Sequence, residues 1–185
     1  VFKAQQYLYD HVRMTPDQMV EEVRKCAQHP HRGVEIEGAV STAFGCTMQG
    51  AVPEDDVLRI ATALAGFCDS VALADTVGYA NPAQVRRVFA KVRKAIGNKL
   101  EGAHFHNTRG LGLANVLAAS HAAKTLVLMG DPQQLDQPTK GTHPDGTGVS
   151  ALDHILGGAK TISPDKGLFL AETWRLHPTI CDYTS

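Results

Sequence analysis

The sequence predicts an α/β fold built from parallel βα repeats, and three observations predict it. Short apolar runs alternate with amphipathic helical runs at close spacing, which is the pattern of βαβ units. Each helical run opens on a capping signal, and glycines stand where one element must give way to the next. A right-handed crossover between such strands suits a barrel or an open doubly wound sheet equally. About four parallel strands are expected.

The elements follow in order. Thr15-Pro-Asp-Gln opens the first helix, with Thr15 as cap, Pro16 in the first turn and Gln18 at the capping-box position. The run from Gly33 to Phe44 is strand-like and bounded by glycine, with Val34 and Ile36 alternating with Glu35 and Glu37. Pro53-Glu-Asp-Asp begins the next helix with its acids at the positive end, and Val57, Ile60, Ala61 and Leu64 follow at helical steps. Ser70 to Asp75 is a short apolar strand, and Asn81-Pro-Ala-Gln caps a helix running to about Ile96, stopped by Gly97-Asn98. Gly102-Ala-His-Phe-His forms another strand, Leu111 to Ala123 a helix, and Thr125 to Gly130 a further strand.

After Gly130 the texture changes. Residues 131–149 form a long loop rich in Pro, Gly, Gln, Thr and Asp, longer than a connection between packed elements usually is. Ser150 caps a short helix over Ala151 to Leu156, Leu168-Phe-Leu is a candidate strand, and Pro178 begins a last helix. Val1 is not methionine and Ser185 stops just after that helix begins, so both ends read as cuts.

Composition sets broad limits. With 185 residues the chain has room for one domain but is small for an eight-fold barrel of about 250 residues. A formal charge of −1 gives no global electrostatic reason to expect nucleic-acid or membrane binding. No run approaches the ~20 apolar residues of a membrane span, and no secretory signal opens the chain, which points to a reducing cytoplasm. Cys26, Cys46, Cys68 and Cys181 make no C-x-x-C pair and fit no zinc spacing, so buried free thiols are the expectation. Cys46 follows a strand-like run and Gly45, where a site is also conceivable.

The first chemical constellation is His104 and His106, flanking Phe105 on a strand. Residues two apart point to one face with Cα atoms roughly 6.5–7 Å apart, so both imidazoles can converge on one cation. Asn107 and Thr108 end the strand, which puts the pair at its carboxyl end, where parallel α/β folds keep their chemistry. A hydrogen-bonded, half-buried histidine pair is the plain structural alternative, and spacing alone slightly favours it.

The neighbouring segments bear on that choice. STAFGCTMQGAVPEDDV, LADTVGYANPAQVRRVF and GAHFHNTRGLGLANVLAA resemble hydroxymethylglutaryl-CoA lyase and its relatives in order and spacing, over roughly residues 10–119. The resemblance implies a partial TIM barrel and a divalent cation, Mg²⁺ or Mn²⁺, held by His104 and His106. It also implies an acyl-CoA substrate, cleaved by a metal-assisted retro-aldol reaction. Asp75 falls on a family position at the active-site mouth, where an acid orients substrate or holds metal-bound water; a capping Asp in the strand–helix loop is the equal alternative. The family's Asp-Arg-Glu triplet, its Gly-rich cysteine loop and its later asparagine ligand are absent, so this chain is expected to lack lyase activity.

A second constellation lies farther on. GDPQQL and Glu-Thr-Trp-Arg-Leu-His-Pro at residues 172–178 resemble two motifs of superfamily 1 helicases, over about residues 113–185. The resemblance implies that Gln134 senses an ATP γ-phosphate and Arg175 stabilises its charge, with ATP/Mg²⁺ and nucleic acid as partners of the parent family. A polar turn at Gln133-Gln134 and a surface ion pair between Arg175 and Glu172 are the structural alternatives. No phosphate-cradling G-x-x-x-x-G-K-[ST] loop is present, so ATP affinity should be negligible. Leu113 to Ala119 fits both families, which places a join there: a lyase-like barrel portion over 1–119 and a RecA-like helicase portion over 120–185. Such a hybrid of two partial enzymes would leave sheet edges open to self-association, or serve as a non-catalytic α/β scaffold.

Overall fold

A computed structural model describes residues 14–29, 33–122 and 149–169. Helix α1 spans Pro16–Gln28, and Thr15 caps it with a full capping box: its hydroxyl accepts from the Gln18 amide at 3.2 Å while the Gln18 side chain accepts from the Thr15 amide at 2.8 Å. Strand β1 is Glu37–Val40, α2 is Glu54–Ala65, β2 is Ser70–Asp75 and α3 is Pro82–Ile96. A 3₁₀ turn over Gly97–Lys99 leads into β3, Leu100–Phe105, followed by α4, Gly112–Ser120, and the short α5, Ala151–Leu156.

The three strands form one parallel sheet in the order β1-β2-β3. β2 sits in the middle, with Val71 and Leu73 fully buried. Helix α2 turns Val57, Ala61 and Leu64 inward, and α3 turns Val85, Val88, Phe89 and Val92 inward. These positions repeat at three and four residues and so make one stripe on each helix. Both stripes pack on Val40, Val71, Leu73 and Leu100 of the sheet. Phe44, Phe89 and Phe105 close the end of this core, with ring centroids 5.9–6.2 Å apart. On the other face of the sheet Glu37, Ala39 and His104 are exposed, and Ala74 and Gly102 half-exposed. That face is kept low by small residues: a Cβ on Gly102 would come within 2.5 Å of the Ala72 Cβ and 2.6 Å of a Glu37 carboxylate oxygen.

The expected order of elements holds through residue 122, with local departures. The strand-like run 33–44 yields only four residues of β1. Past Val40 the chain bends into a turn: Thr42 has φ 53°, its amide donates to the Thr76 hydroxyl at 3.0 Å, and the Ala43 amide donates to the Ala74 carbonyl at 2.9 Å. These bonds end the strand by tying it over the tip of β2. β3 begins two residues earlier than expected and ends at Phe105, leaving His106 just beyond it. Helix α4 stops at Ser120, short of Ala123. Leu168 and Phe169 belong to no strand and are 84% and 56% exposed, a correction to the candidate strand there, since nothing described pairs with them. Cys46 and Cys68 are buried free thiols, whereas Cys26 is exposed on α1, which has no fully buried residue. The strand expected at 125–130, the loop from 131 to 148, Cys181 and the helix from Pro178 lie outside the described residues.

Candidate metal centre at the carboxyl end of the sheet

The carboxyl ends of β2 and β3 carry Asp75, His104 and His106, with Asp75 on the helix side and near enough to act on the imidazoles through its charge. In the parallel register Ala74 pairs with His104 and Asp75 with Phe105. Alternation along β3 therefore sends Phe105 to the helix side and His104 to the open face. His106 follows on the same side; the two imidazole centroids are 4.8 Å apart and nearly perpendicular, with an interplanar angle of 72°. Partial burial, and after it the charge of His106, push the His104 imidazole below its ordinary value, while Asp75 pulls the other way. A depressed pKa keeps the ring neutral, the form in which imidazole binds metal.

Asp75 is fully buried. Its Oδ1 accepts from the Tyr79 amide at 2.8 Å and the Ala80 amide at 3.2 Å, so the carboxylate organises the loop between β2 and α3. Asn81, not Asp75, caps α3, its Oδ1 accepting from the Gln84 amide at 3.0 Å. Burial raises the Asp75 carboxyl above the ordinary carboxylate range, against the pull of the two amides, His106 and Arg109. Its Oδ2 is buried with no hydrogen-bond partner among the described residues. A buried, unpartnered carboxylate oxygen beside two imidazoles is costly unless something binds it.

Arg109 and Asn115, to which the sequence assigns no role, grip the loop, and Asn107 beside them fixes the next helix. Arg109, after β3, reaches back over the β2–α3 loop: its Nε donates to the Gly78 carbonyl at 3.0 Å and its Nη2 to the carbonyls of Tyr79 at 2.5 Å and Ala80 at 3.4 Å. Its guanidinium also lies 5.7 Å from the centre of the Tyr79 ring. Asn115 of α4 is fully buried and donates to the Ala80 carbonyl at 3.2 Å. Asn107 accepts from the Gly112 amide at 2.8 Å and so fixes the start of α4. An arginine just past an H-x-H pair carries no distinctive spacing, because its partners are carbonyls about 30 residues earlier. Glycine is needed where the loops touch: Gly78 has φ 71°, and a Cβ there would meet the Thr108 hydroxyl at 2.6 Å.

The imidazole pair fits a divalent cation in kind, the rings being adjacent and at the usual end of a parallel sheet. It is incomplete in number. Among the described residues no group of three or more His, Cys, Asp or Glu side chains converges as a metal site. Gln134 and Arg175 lie outside the described residues, so their expected roles have no geometry here. Among the described residues no helix is long and apolar enough to cross a membrane.

Comparison with known proteins bears on what the arrangement is. A hydroxymethylglutaryl-CoA lyase of Bacillus subtilis is 41% identical over 81 residues, which cover 43% of this chain and 27% of that protein. The human cytoplasmic 3-hydroxy-3-methylglutaryl-CoA lyase is 35% identical over 100 residues, covering 54% of this chain and 26% of that protein. An (R)-citramalyl-CoA lyase of Chloroflexus aurantiacus is 32% identical over 108 residues, covering 58% and 34%. Among solved structures, an HMG-CoA lyase of Acinetobacter baumannii in complex with coenzyme A and 3-methylmalate superposes with a TM-score of 0.58 at 36% identity, covering 64% of this chain and 39% of that one. The chain thus spans about a quarter to a third of the length of these curated relatives. The fold of the matched part is a partial TIM-barrel-like arrangement of parallel βα units. No support emerges for a helicase segment, and the family model, HMGL-like, matches residues 5–128, past the join expected near residue 119. By that match the chain belongs to the HMGL-like family.

Proposed function

We propose that this chain is the cation-binding middle of an acyl-CoA carbon–carbon lyase barrel, with His104 and His106 as imidazole ligands and Asp75 as the acid beside them. The observation that carries the reading is the pair of imidazoles 4.8 Å apart at the carboxyl end of a parallel sheet, in a chain of the HMGL-like family. Coenzyme A in the complex of the Acinetobacter lyase, and the acyl-CoA substrates named for the curated relatives, support an acyl-CoA substrate. The division near residue 119 enters the proposal for the barrel-like portion alone.

Mg²⁺ or Mn²⁺ suits an oxygen-rich substrate, and when bound it supplies Lewis-acid polarisation of the substrate's oxygens. The chain's own residues do the rest of what is proposed. His104 offers a neutral ring without first giving up a proton. Asp75 is fixed through Oδ1 by two amides, which leaves Oδ2 to orient a hydroxyl or a water at the mouth of the sheet. Two imidazoles hold a hard cation weakly without oxygen ligands to complete the set. The Asp-Arg-Glu triplet and the cysteine loop of the family do not occur in these 185 residues, so cleavage by this chain alone is not expected.

The test is calorimetric titration of Mn²⁺ into the 185-residue chain and its H104A, H106A and double variants. Weak binding that falls about tenfold or more in each single variant is expected, the loss typical when a metal site is disturbed. Equal affinity in the double variant contradicts the ligand assignment. Metal-dependent cleavage of hydroxymethylglutaryl-CoA by the chain contradicts the expected inactivity.

A further inference from the structure

Asp75 is held by two peptide units, and those same two units are held from behind. The Tyr79 amide, which donates to Asp75 Oδ1, belongs to the peptide whose carbonyl is that of Gly78. The Ala80 amide belongs to the peptide whose carbonyl is that of Tyr79. Arg109 donates to both of these carbonyls, at 3.0 and 2.5 Å. A cation at the oxygen end of a peptide and a carboxylate at its N–H end polarise it in the same sense, and each hydrogen bond strengthens the other.

We propose that Arg109 is a positioning residue for Asp75, acting through the Gly78–Tyr79 and Tyr79–Ala80 peptide units to fix the carboxylate beside the imidazole pair. Arginine suits this position because its planar fork reaches two consecutive carbonyls from one side chain, whereas a lysine is a single point of charge. The guanidinium lies over the Tyr79 ring, which limits its freedom to swing away. Asn115 holds the next carbonyl, that of Ala80, so the loop is gripped from both β3–α4 and α4. The arrangement gives the loop a fixed shape without a covalent tie, and it makes the direction of Asp75 depend on a residue that acts through the backbone.

The consequence for metal binding rests on the reading of His104 and His106 as ligands; the consequence for the loop does not. The experiment therefore has two arms, both on the full chain, in wild type, R109A, R109K, D75N and the R109A/D75N double variant. The first arm reads the amide proton shifts and hydrogen exchange of Tyr79 and Ala80, with Leu73 of β2 as an internal reference. Arg109→Ala is expected to move both amides upfield and to speed their exchange about tenfold or more, with Leu73 unchanged. Arg109→Lys should recover part of the Gly78 contact only, so Tyr79 is restored further than Ala80. Unchanged Tyr79 and Ala80 amides in R109A overturn the proposal, as does full recovery of both by lysine. If R109A does not fold, the same comparison between R109K and wild type decides.

The second arm reads Mn²⁺ affinity. Arg109→Ala is expected to weaken binding about tenfold, as removal of an outer partner of a metal site does, and to weaken it no further when Asp75 is already Asn. A full additional loss in the double variant means Arg109 acts by another route and overturns the link through Asp75. Wild type that binds no Mn²⁺ through His104 and His106 defeats the ligand reading, while the amide arm still judges Arg109.

Discussion

At the residue scale the histidine pair and Asp75 trade stability against readiness to bind. Burial raises the Asp75 carboxyl, so its proton is held more tightly folded than unfolded. A raised folded value means that stability is greatest below the unfolded carboxylate range and falls as pH rises through the folded one. Asp75→Asn keeps an oxygen for the Tyr79 and Ala80 amides and removes that loss. The variant is expected to be as stable as wild type or more so at neutral pH, by urea midpoint, while binding Mn²⁺ more weakly. The His104 shift runs the other way. Its folded value is depressed, chiefly by burial, so its contribution is present above the ordinary histidine value and is lost as pH falls through the folded one. Urea midpoints compared between pH 8 and pH 5 should therefore show a smaller acid loss in H104Q than in wild type. The H-x-H pair was legible because strand alternation alone puts residues 104 and 106 on one side. Arg109 was not, since its partners are main-chain carbonyls that only the folded loop supplies.

At the element scale β2 and α3 were the most legible parts. Ser70 to Asp75 is an unbroken run for a strand buried in mid-sheet, and Asn81-Pro82 sets the start of α3 by cap and fixed φ together. The end of β1 was not legible, because Ser41 to Phe44 holds no glycine or proline to mark a stop, while hydrogen bonds to Ala74 and Thr76 turn the chain. Among the described residues Leu73 is the largest fully buried side chain, and it lies in the central strand, under both helices. Leu73→Ala is expected to cost about 2–5 kcal/mol, measured by urea unfolding. By contrast α1 has no fully buried residue, only Val23 packing half-buried against the core, and its link to α2 includes an exposed pair between Asp17 and Arg59. Thr15→Ala removes its cap at a cost of about 1 kcal/mol to that helix, visible as faster amide exchange in residues 16–20 with the sheet unaffected.

At the scale of the whole molecule, the family and the partial coverage fit one picture. A barrel strand has one face under helices and one toward the interior, and here Glu37, Ala39, Ala74, Gly102 and His104 lie on the face that no described helix covers. The small residues on that face and the histidines at its carboxyl end make sense as the interior and mouth of a barrel. With the described sheet ending at β1 and β3, the chain is expected to self-associate, seen as a sedimentation coefficient that rises with protein concentration. A coefficient independent of concentration contradicts that expectation. The family match covers residues 5–128 and so supports the lyase side of the supposed join, while GDPQQL and the Trp174-Arg175 segment lie beyond it.

The central claim is that His104 and His106 are the imidazole ligands of a divalent cation. Pulsed electron paramagnetic resonance of Mn²⁺ bound to the chain tests it most directly, because directly coordinated imidazole nitrogen modulates the electron spin echo. Nitrogen modulation from two imidazoles is expected in wild type, from one in H104A or H106A, and from none in the double variant. Mn²⁺ bound with no nitrogen modulation, or with modulation that survives the double substitution, would contradict it.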